Sequence, residues 1–271
     1  MKDGGFEKAV TVAQGYTSGS ASQLGRDGVT RPVERCWIGE VPVALEFNGL
    51  AYAVMMATPN DLEDFVLGFA LCEGLARSAA DIGELDIVET DKGIVARAQL
   101  AGLGIETLTE RVRMRVAESS CGLCGIENLE ALAKPLPRVE DHAAPDPAAI
   151  FRALDALESA QPLARATGAA HAAAFADERG ALIMVREDVG RHNAIDKLVG
   201  ALAKAGHGMA GGFVISTARC SYEIVEKIVR AGGETLVTVS LPTSMAVQRA
   251  RGCGLMLFCL AREDSVLEIL A

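Results

Sequence analysis

The sequence predicts a three-layer α/β protein: a mixed sheet covered by helices on both faces, with a smaller β-rich domain on its N-terminal side. Three observations lead there. From Ala170 onward short apolar runs alternate with stretches of helical spacing, the pattern of strands buried on both faces. Upstream, shorter runs are separated by Asn48-Gly49 and by Asp91-Lys92-Gly93, which are hairpin signals. Between the two halves, Ala131 to Pro147 holds four of the nine prolines, Pro135, Pro137, Pro145 and Pro147, as a connector would. The expected division is a flexible tail over residues 1–30, an N-terminal α+β domain over 31–134 ending in a Cys-x-x-Cys loop, a proline-rich connector over 135–147, and a C-terminal α/β domain over 148–271.

Taken in order, the first residues are rich in Gly, Ser, Thr and charge and lack the apolar core of a signal peptide, so they read as a mobile tail. Arg31 to Phe47 reads as extended, and Asn48-Gly49 turns it back into the apolar run Ala51 to Ala57. Thr58-Pro59-Asn60-Asp61 then predicts a helix start, with a capping residue and a proline at the first helical position. Leu62, Phe65, Val66 and Phe69 recur at helical spacing and should face the core. Ile82 to Val88 and Gly93 to Gln99 form a second hairpin. Arg111, Arg113 and Arg115 alternate with Val112, Met114 and Val116, a half-buried strand leading into the thiol loop.

In the C-terminal half, Ile150, Leu154 and Leu157 mark a helix. Ala170 to Phe175 and Ala181 to Arg186 read as a hairpin, Asn193 to Ala205 as a helix and Gly212 to Ser216 as a strand. Ser221 to Ala231 (helix), Thr235 to Ser240 (strand), Ser244 to Arg251 (helix) and Leu255 to Leu260 (strand) complete the alternation.

Bulk composition excludes some functions. The net charge is −10 with no Lys/Arg-rich run, which argues against sequence-independent nucleic-acid binding. The longest apolar runs, such as Leu255 to Ala261, fall far short of the roughly 20 residues of a membrane helix, so no span is expected. A cytoplasmic location follows, where thiols stay reduced and the seven cysteines serve packing and chemistry rather than disulfides. Cys72 and Cys259 fall on apolar elements and read as packing. Cys36, beside the sole tryptophan Trp37, also reads as core. Cys220 and Cys253 stand nearer polar turns.

Chemistry concentrates in two places. Ser119-Ser120-Cys121-Gly122-Leu123-Cys124-Gly125 sets two thiols three positions apart among glycines that free the backbone. Such a pair can ligate metal, cycle through a disulfide or carry sulfur as a persulfide, and the spacing does not choose. No second Cys-x-x-Cys or His-x-x-x-His supplies the rest of a structural zinc site, and no His-x-Glu supplies a zinc-deaminase acid. The second place is the set of strand ends in the C-terminal half, where α/β sheets bind ligands. Arg186 to Asn193, Ser216 to Ser221 and Ser240 to Ser244 put Arg186, Arg191, His192, Arg219 and Thr243 at the starts of helices, where backbone amides and arginines favour phosphate.

These residues resemble the FdhD/NarQ family of formate dehydrogenase accessory sulfurtransferases. The resemblance rests on Thr58-Pro59-Asn60-Asp61-Leu62-Glu63-Asp64-Phe65, Ser120-Cys121-Gly122-Leu123-Cys124-Gly125, Thr167-Gly168 with His171-Ala172-Ala173, Arg186-Glu187-Asp188-Val189-Gly190-Arg191-His192-Asn193-Ala194, and Val239-Ser240 with Pro242-Thr243. It implies a cytidine-deaminase-like core and a homodimer. It also implies a sulfurtransferase that takes sulfur from a cysteine desulfurase as a persulfide on Cys121, with Cys124 as partner. The recipient would be the molybdenum or tungsten bis(guanine dinucleotide) cofactor destined for formate dehydrogenase, with no permanent metal of the protein's own. The cofactor-binding segment implied near the C-terminus is Leu260-Ala261-Arg262-Glu263-Asp264-Ser265. The alternative reading is a non-catalytic chaperone of the same cofactor. This chain departs from the family at Thr217-Ala218-Arg219, where Ser-Gly-Arg is usual, at Thr167-Gly168-Ala169, where Thr-Gly-Gly is usual, and at Cys259-Leu260, where Gly-Phe is usual.

Overall fold

The computed structural model describes residues 15–102, 108–109 and 135–270. The strand expected over Arg111 to Val116 and the thiol loop with Cys121 and Cys124 lie outside the described residues.

The described chain opens with an antiparallel ribbon, β1 (Tyr16–Leu24) against β2 (Thr30–Ile38), with Tyr16 opposite Ile38 and Leu24 opposite Thr30. Residues 16–24 are therefore a strand inside the stretch expected to be tail. Their Ser, Gly and Gln side chains carry almost no burial signal, and it is the Asp27-Gly28 turn that returns the chain: Gly28 has φ +78°, and Asp27 Oδ1 accepts from the amide of Val29. Cys36, expected in the core, is only half-buried, beside Trp37, which is 45% exposed on this ribbon.

The second sheet has the order β4-β3-β6-β5, formed by β3 (Val41–Phe47), β4 (Leu50–Ala57), β5 (Ile82–Thr90) and β6 (Gly93–Leu100). Both predicted hairpins are present, and Asn48 and Gly49 take left-handed φ values of 51° and 77°, as a primed turn requires. Helix α1 (Leu62–Cys72) covers this sheet, and Phe47, Tyr52, Phe65 and Phe69 form its aromatic core. The start of α1 differs from expectation. The helix begins after Asp61, which sits at φ 50° with no side-chain cap, so Pro59 precedes the helix instead of opening it. The Thr58 hydroxyl is drawn away to accept from the amide of Val189.

The third sheet has the order β12-β11-β10-β9-β7-β8. It contains β7 (His171–Asp177), β8 (Leu182–Asp188), β9 (Gly212–Ser216), β10 (Thr235–Thr238), β11 (Met256–Cys259) and a short edge strand, β12 (Leu267–Ile269), that no pattern in the sequence announced. Strands β9, β10 and β11 are parallel, and β7 runs against both β8 and β9. Helices cover both faces. One face packs against α4 (Arg191–Lys204), α5 (Tyr222–Arg230) and α6 (Ser244–Cys253), the other against α2 (Pro147–Ser159). A short α3 (Pro162–Thr167) precedes β7. The result is the mixed α/β architecture that the alternation predicted. No helix among the described residues is long and apolar enough to cross a membrane.

Helix α1 is packed directly on α4, and glycine makes that possible. A Cβ at Gly68 would lie 1.7 Å from the carbonyl oxygen of Asp196, and one at Gly200 would lie 1.9 Å from that of Asp64. The two backbones approach so closely that a methyl group has no room at the crossing. Buried ion pairs flank it: Lys197 Nζ lies 2.7 Å from Asp188, and Lys227 Nζ lies 2.7 Å from Asp196.

Candidate functional site

Strand direction gathers the candidate residues. Because β7 opposes both its neighbours, the C-terminal ends of β8, β9, β10 and β11 and the start of β7 share one edge of the third sheet. That edge carries His171, Asp188 to Asn193, Ser216 to Ser221, Ser240 to Ser244 and Leu260 to Ser265, followed by the N-termini of α4, α5 and α6. The three polar clusters separated in sequence are therefore adjacent in space.

Much of the Arg186 to Asn193 block builds the fold. Asp188 is fully buried; its Oδ2 accepts from the Thr58 amide at 3.0 Å, and its Oδ1 accepts from Gly190 N at 2.7 Å and Asn193 Nδ2 at 2.9 Å. Asn193 Nδ2 also donates to Met56 O, and Lys197 donates to Thr58 O and Asn60 Oδ1. Burial pulls the Lys197 pKa down while Asp188 works to raise it. Glu187 accepts from the amides of Leu163 and Ala164 at the start of α3. Arg186 was expected to meet a ligand, but its guanidinium is taken up by Asp64, with Nε and Nη2 at 2.9 and 2.7 Å from Oδ2. Sequence proximity to Arg191 suggested a shared role; strand alternation and the nearness of α1 send it elsewhere.

Arg191 and His192 are different. They lie in the first turn of α4, whose N-cap, Gly190, offers no side-chain cap. Arg191 Nε is buried with no hydrogen-bond acceptor among the described residues. His192 Nε2 is also buried and lies 3.0 Å from Glu223 Oε2. The His192 ring beside it holds the Glu223 carboxyl below its usual range. His171 faces the same region, and burial, followed by the Arg191 charge, pushes its pKa down. A buried Arg191 N–H without an acceptor among the described residues is costly, and an anion seated there would satisfy it.

The other ends add exposed cations and structured turns. Arg219 is exposed. Ala218 is 2% exposed, so its methyl group, which replaces the usual glycine, packs into the protein. Thr217 Oγ1 accepts from the Ala172 amide at 2.8 Å and ties β9 to β7. Thr243 caps α6, its hydroxyl accepting from Ala246 N at 3.2 Å, so that hydroxyl has a structural role. Leu260 holds a left-handed φ of 51°, and the following loop curls so that Arg262 N donates to Ser265 O. The Arg262 guanidinium reaches back to Val239 O at 2.5 Å, fastening this loop to the end of β10. Glu263, Asp264 and Ser265 are exposed beside it, the Ser265 hydroxyl donating to Asp264. Ala261 is buried in the core.

Two residues of this edge were missed from sequence. Glu223 stands two positions after the N-cap Ser221, in a first turn where an acid reads as helix-start charge; nothing in the string pairs it with His192. His171 was noted only as part of a family match. The remaining described cysteines at or below the edge are unreactive by environment. Burial pushes the Cys220 thiol up to about 12, and it raises Cys253 and Cys259 as well. Among the described residues, no group of three His, Cys, Asp or Glu side chains is placed to hold a metal ion.

Comparison with known proteins identifies the family of the chain. A model of the FdhD/NarQ family matches residues 38–269. The sulfur carrier protein FdhD of Xanthomonas euvesicatoria pv. vesicatoria (strain 85-10) is 42% identical over 238 residues, covering 88% of this chain and 85% of that protein. The protein of the same description from Bordetella petrii is 43% identical over 224 residues, covering 82% of this chain and 80% of that one. Among solved structures, a protein from Desulfotalea psychrophila described as a formate dehydrogenase accessory protein matches with a TM-score of 0.73 over 94% of this chain and 97% of its own; at 22% identity it speaks to the fold.

Proposed function

The chain belongs to the FdhD/NarQ family, and we propose that it is a sulfur carrier acting in formate dehydrogenase maturation. In this reading it accepts sulfur from a cysteine desulfurase as a persulfide on Cys121, with Cys124 as the partner thiol. It then passes the sulfur to the molybdenum or tungsten bis(guanine dinucleotide) cofactor, which it binds as a substrate. A thiol of low pKa suits the task because it also makes a good leaving group when the sulfur departs. A cytoplasmic homodimer is part of the proposal, since a reducing compartment returns both thiols to the free state.

The observation that carries the ligand side is the sheet edge. Arg191 Nε is a buried donor at a helix start with no acceptor among the described residues, and Arg219 and the Arg262 loop lie along the same sheet edge. Pyrophosphate oxygens match such donors, and the arginines supply charge in a chain that is otherwise acidic. Arg186 is engaged by Asp64, and the Thr243 hydroxyl by the Ala246 amide. The sulfur side is supported by the names of the relatives and by the Cys121-Gly122-Leu123-Cys124 motif.

The test combines two measurements. Incubation with a cysteine desulfurase and cysteine should add about 32 Da, one sulfur, to Cys121, read by intact mass and peptide mapping. Cys121→Ala should lose that adduct and fail to restore formate dehydrogenase activity in a deletion strain. Activity retained by Cys121→Ala, with GDP binding intact, would favour the non-catalytic chaperone. Absence of GDP binding in the wild-type protein would refute the placement of the cofactor.

A further inference from the structure

A second concave site lies at the far end of α4. That helix has 14 residues, so its C-terminus is about 21 Å from Arg191. There the C-terminal ends of α1, α4 and α5 converge with Pro137 of the connector around a cavity of about 630 Å³. This volume falls in the range of small-molecule sites, and a junction between domains is a common place for one.

The three helix ends close in the same way. Gly74, Gly206 and Gly232 each take a left-handed φ, and the residue after each returns its amide five positions back: Leu75 to Ala70, His207 to Leu202 and Gly233 to Ile228. The terminal carbonyls are thereby occupied by the chain's own amides, which blunts the negative ends of the helices. The floor is hydrocarbon, formed by Leu71, Val199, Leu202 and Met209. The rim carries Arg77, His207 and Arg230, and none of the described lining residues is acidic, although the whole chain has a net charge of −10. Arg230 is paired with Glu226. Arg77 makes no ion pair among the described residues; the nearby Asp81 carboxylate is turned to the amides of Arg77 and Ser78.

We infer that this cavity is a binding site for a small amphipathic anion, a compact apolar body bearing one carboxylate or sulfonate, with the body on the Leu71/Val199/Leu202/Met209 floor and the charge at Arg77. The floor offers no polar partner, so the body must be apolar. Arg77, which makes no ion pair among the described residues, selects the sign of the head group. The inference is independent of the proposed sulfur-carrier activity.

The probe is 8-anilinonaphthalene-1-sulfonate, titrated into the full chain at fixed ionic strength, with decanoate and decyltrimethylammonium as competitors. One saturable site is expected, displaced by decanoate and not by the cation. Gly208→Phe should abolish it: Gly208 lines the cavity, its φ is not left-handed, and an added Cβ meets nothing within 4 Å, so the ring enters open space without backbone strain. Arg77→Glu should weaken binding roughly 5-fold or more, whereas Arg97→Ala, on a distant surface pair with Glu46 and Asp86, should leave it unchanged. The thermal midpoint of each variant establishes that it is folded. Binding by Gly208→Phe equal to wild type, equal displacement by the cation, or no saturable site in the wild-type protein would each overturn the inference.

Discussion

Replacing Gly68 with alanine tests how the two halves of the molecule are joined. In a solvent-exposed helix the change should stabilise, because glycine costs about 1 kcal/mol relative to alanine. At Gly68 the new methyl carbon would stand 1.7 Å from the Asp196 carbonyl oxygen, half the 3.4 Å at which ordinary contact begins. The obstructing atom is backbone, so no rotamer change relieves the clash; α1 and α4 must separate. Separation loosens the buried contacts on either side and lengthens the Lys197–Asp188 and Lys227–Asp196 pairs that flank the crossing. Overpacking costs about 1–3 kcal/mol and occasionally more; taking about 3–4 kcal/mol for a clash that only backbone movement relieves, less the propensity gain of about 1 kcal/mol, a net loss of about 2–3 kcal/mol is expected. For a chain of this size that lowers Tm by roughly 5–10 °C. Gly252→Ala is the matched control. Gly252 lies within α6, where an added Cβ meets nothing within 4 Å, so this variant should be neutral or gain up to about 1 kcal/mol. Thermal and urea unfolding of both variants checks the argument, and a Gly68→Ala protein at least as stable as wild type would refute the close crossing.

Three further outcomes follow from the same geometry. Lys227→Ala leaves the fully buried Asp196 carboxylate without its partner and should cost about 3–5 kcal/mol in urea unfolding. Cys220 has a folded pKa of about 12 against an ordinary value of 9.0, so the unfolded state gives up its proton first as pH rises. Stability should be unaffected by this thiol below pH 9 and fall from there toward 12, and Cys220 should resist a thiol reagent at pH 8 until the chain is unfolded. Glu223 has the opposite sign: its lowered pKa contributes stability above its ordinary value of 4.5 that is lost as pH falls through the folded value. Glu223→Gln should therefore flatten the acid limb of a Tm-against-pH curve, and an unchanged limb would refute a stabilising contact between Glu223 and His192.

The C-terminal sheet was legible because its strands are apolar on both faces and its helices are amphipathic, which are local properties of the string. Even so, boundaries moved where distant residues intervened. Thr58 looks like a cap and Pro59 like a first helical residue, but Asp188 binds the Thr58 amide and the Thr58 hydroxyl accepts from Val189, so the helix starts later. The ribbon over residues 16–38 was missed in part because Ser, Gly and Gln pair by backbone without burying side chains.

The sequence by itself determined the alternation of elements, the strand ends at which polar residues collect, and the family motifs, all of which depend on spacing along the chain. Only the tertiary structure decided which of those polar residues are occupied. Arg186 and Arg191 are five positions apart and chemically alike, yet one is neutralised by Asp64 of α1 and the other keeps a buried nitrogen without an acceptor among the described residues. Partnership depends on what the other half of the fold brings within 3 Å, and the Gly68/Gly200 crossing sets that distance.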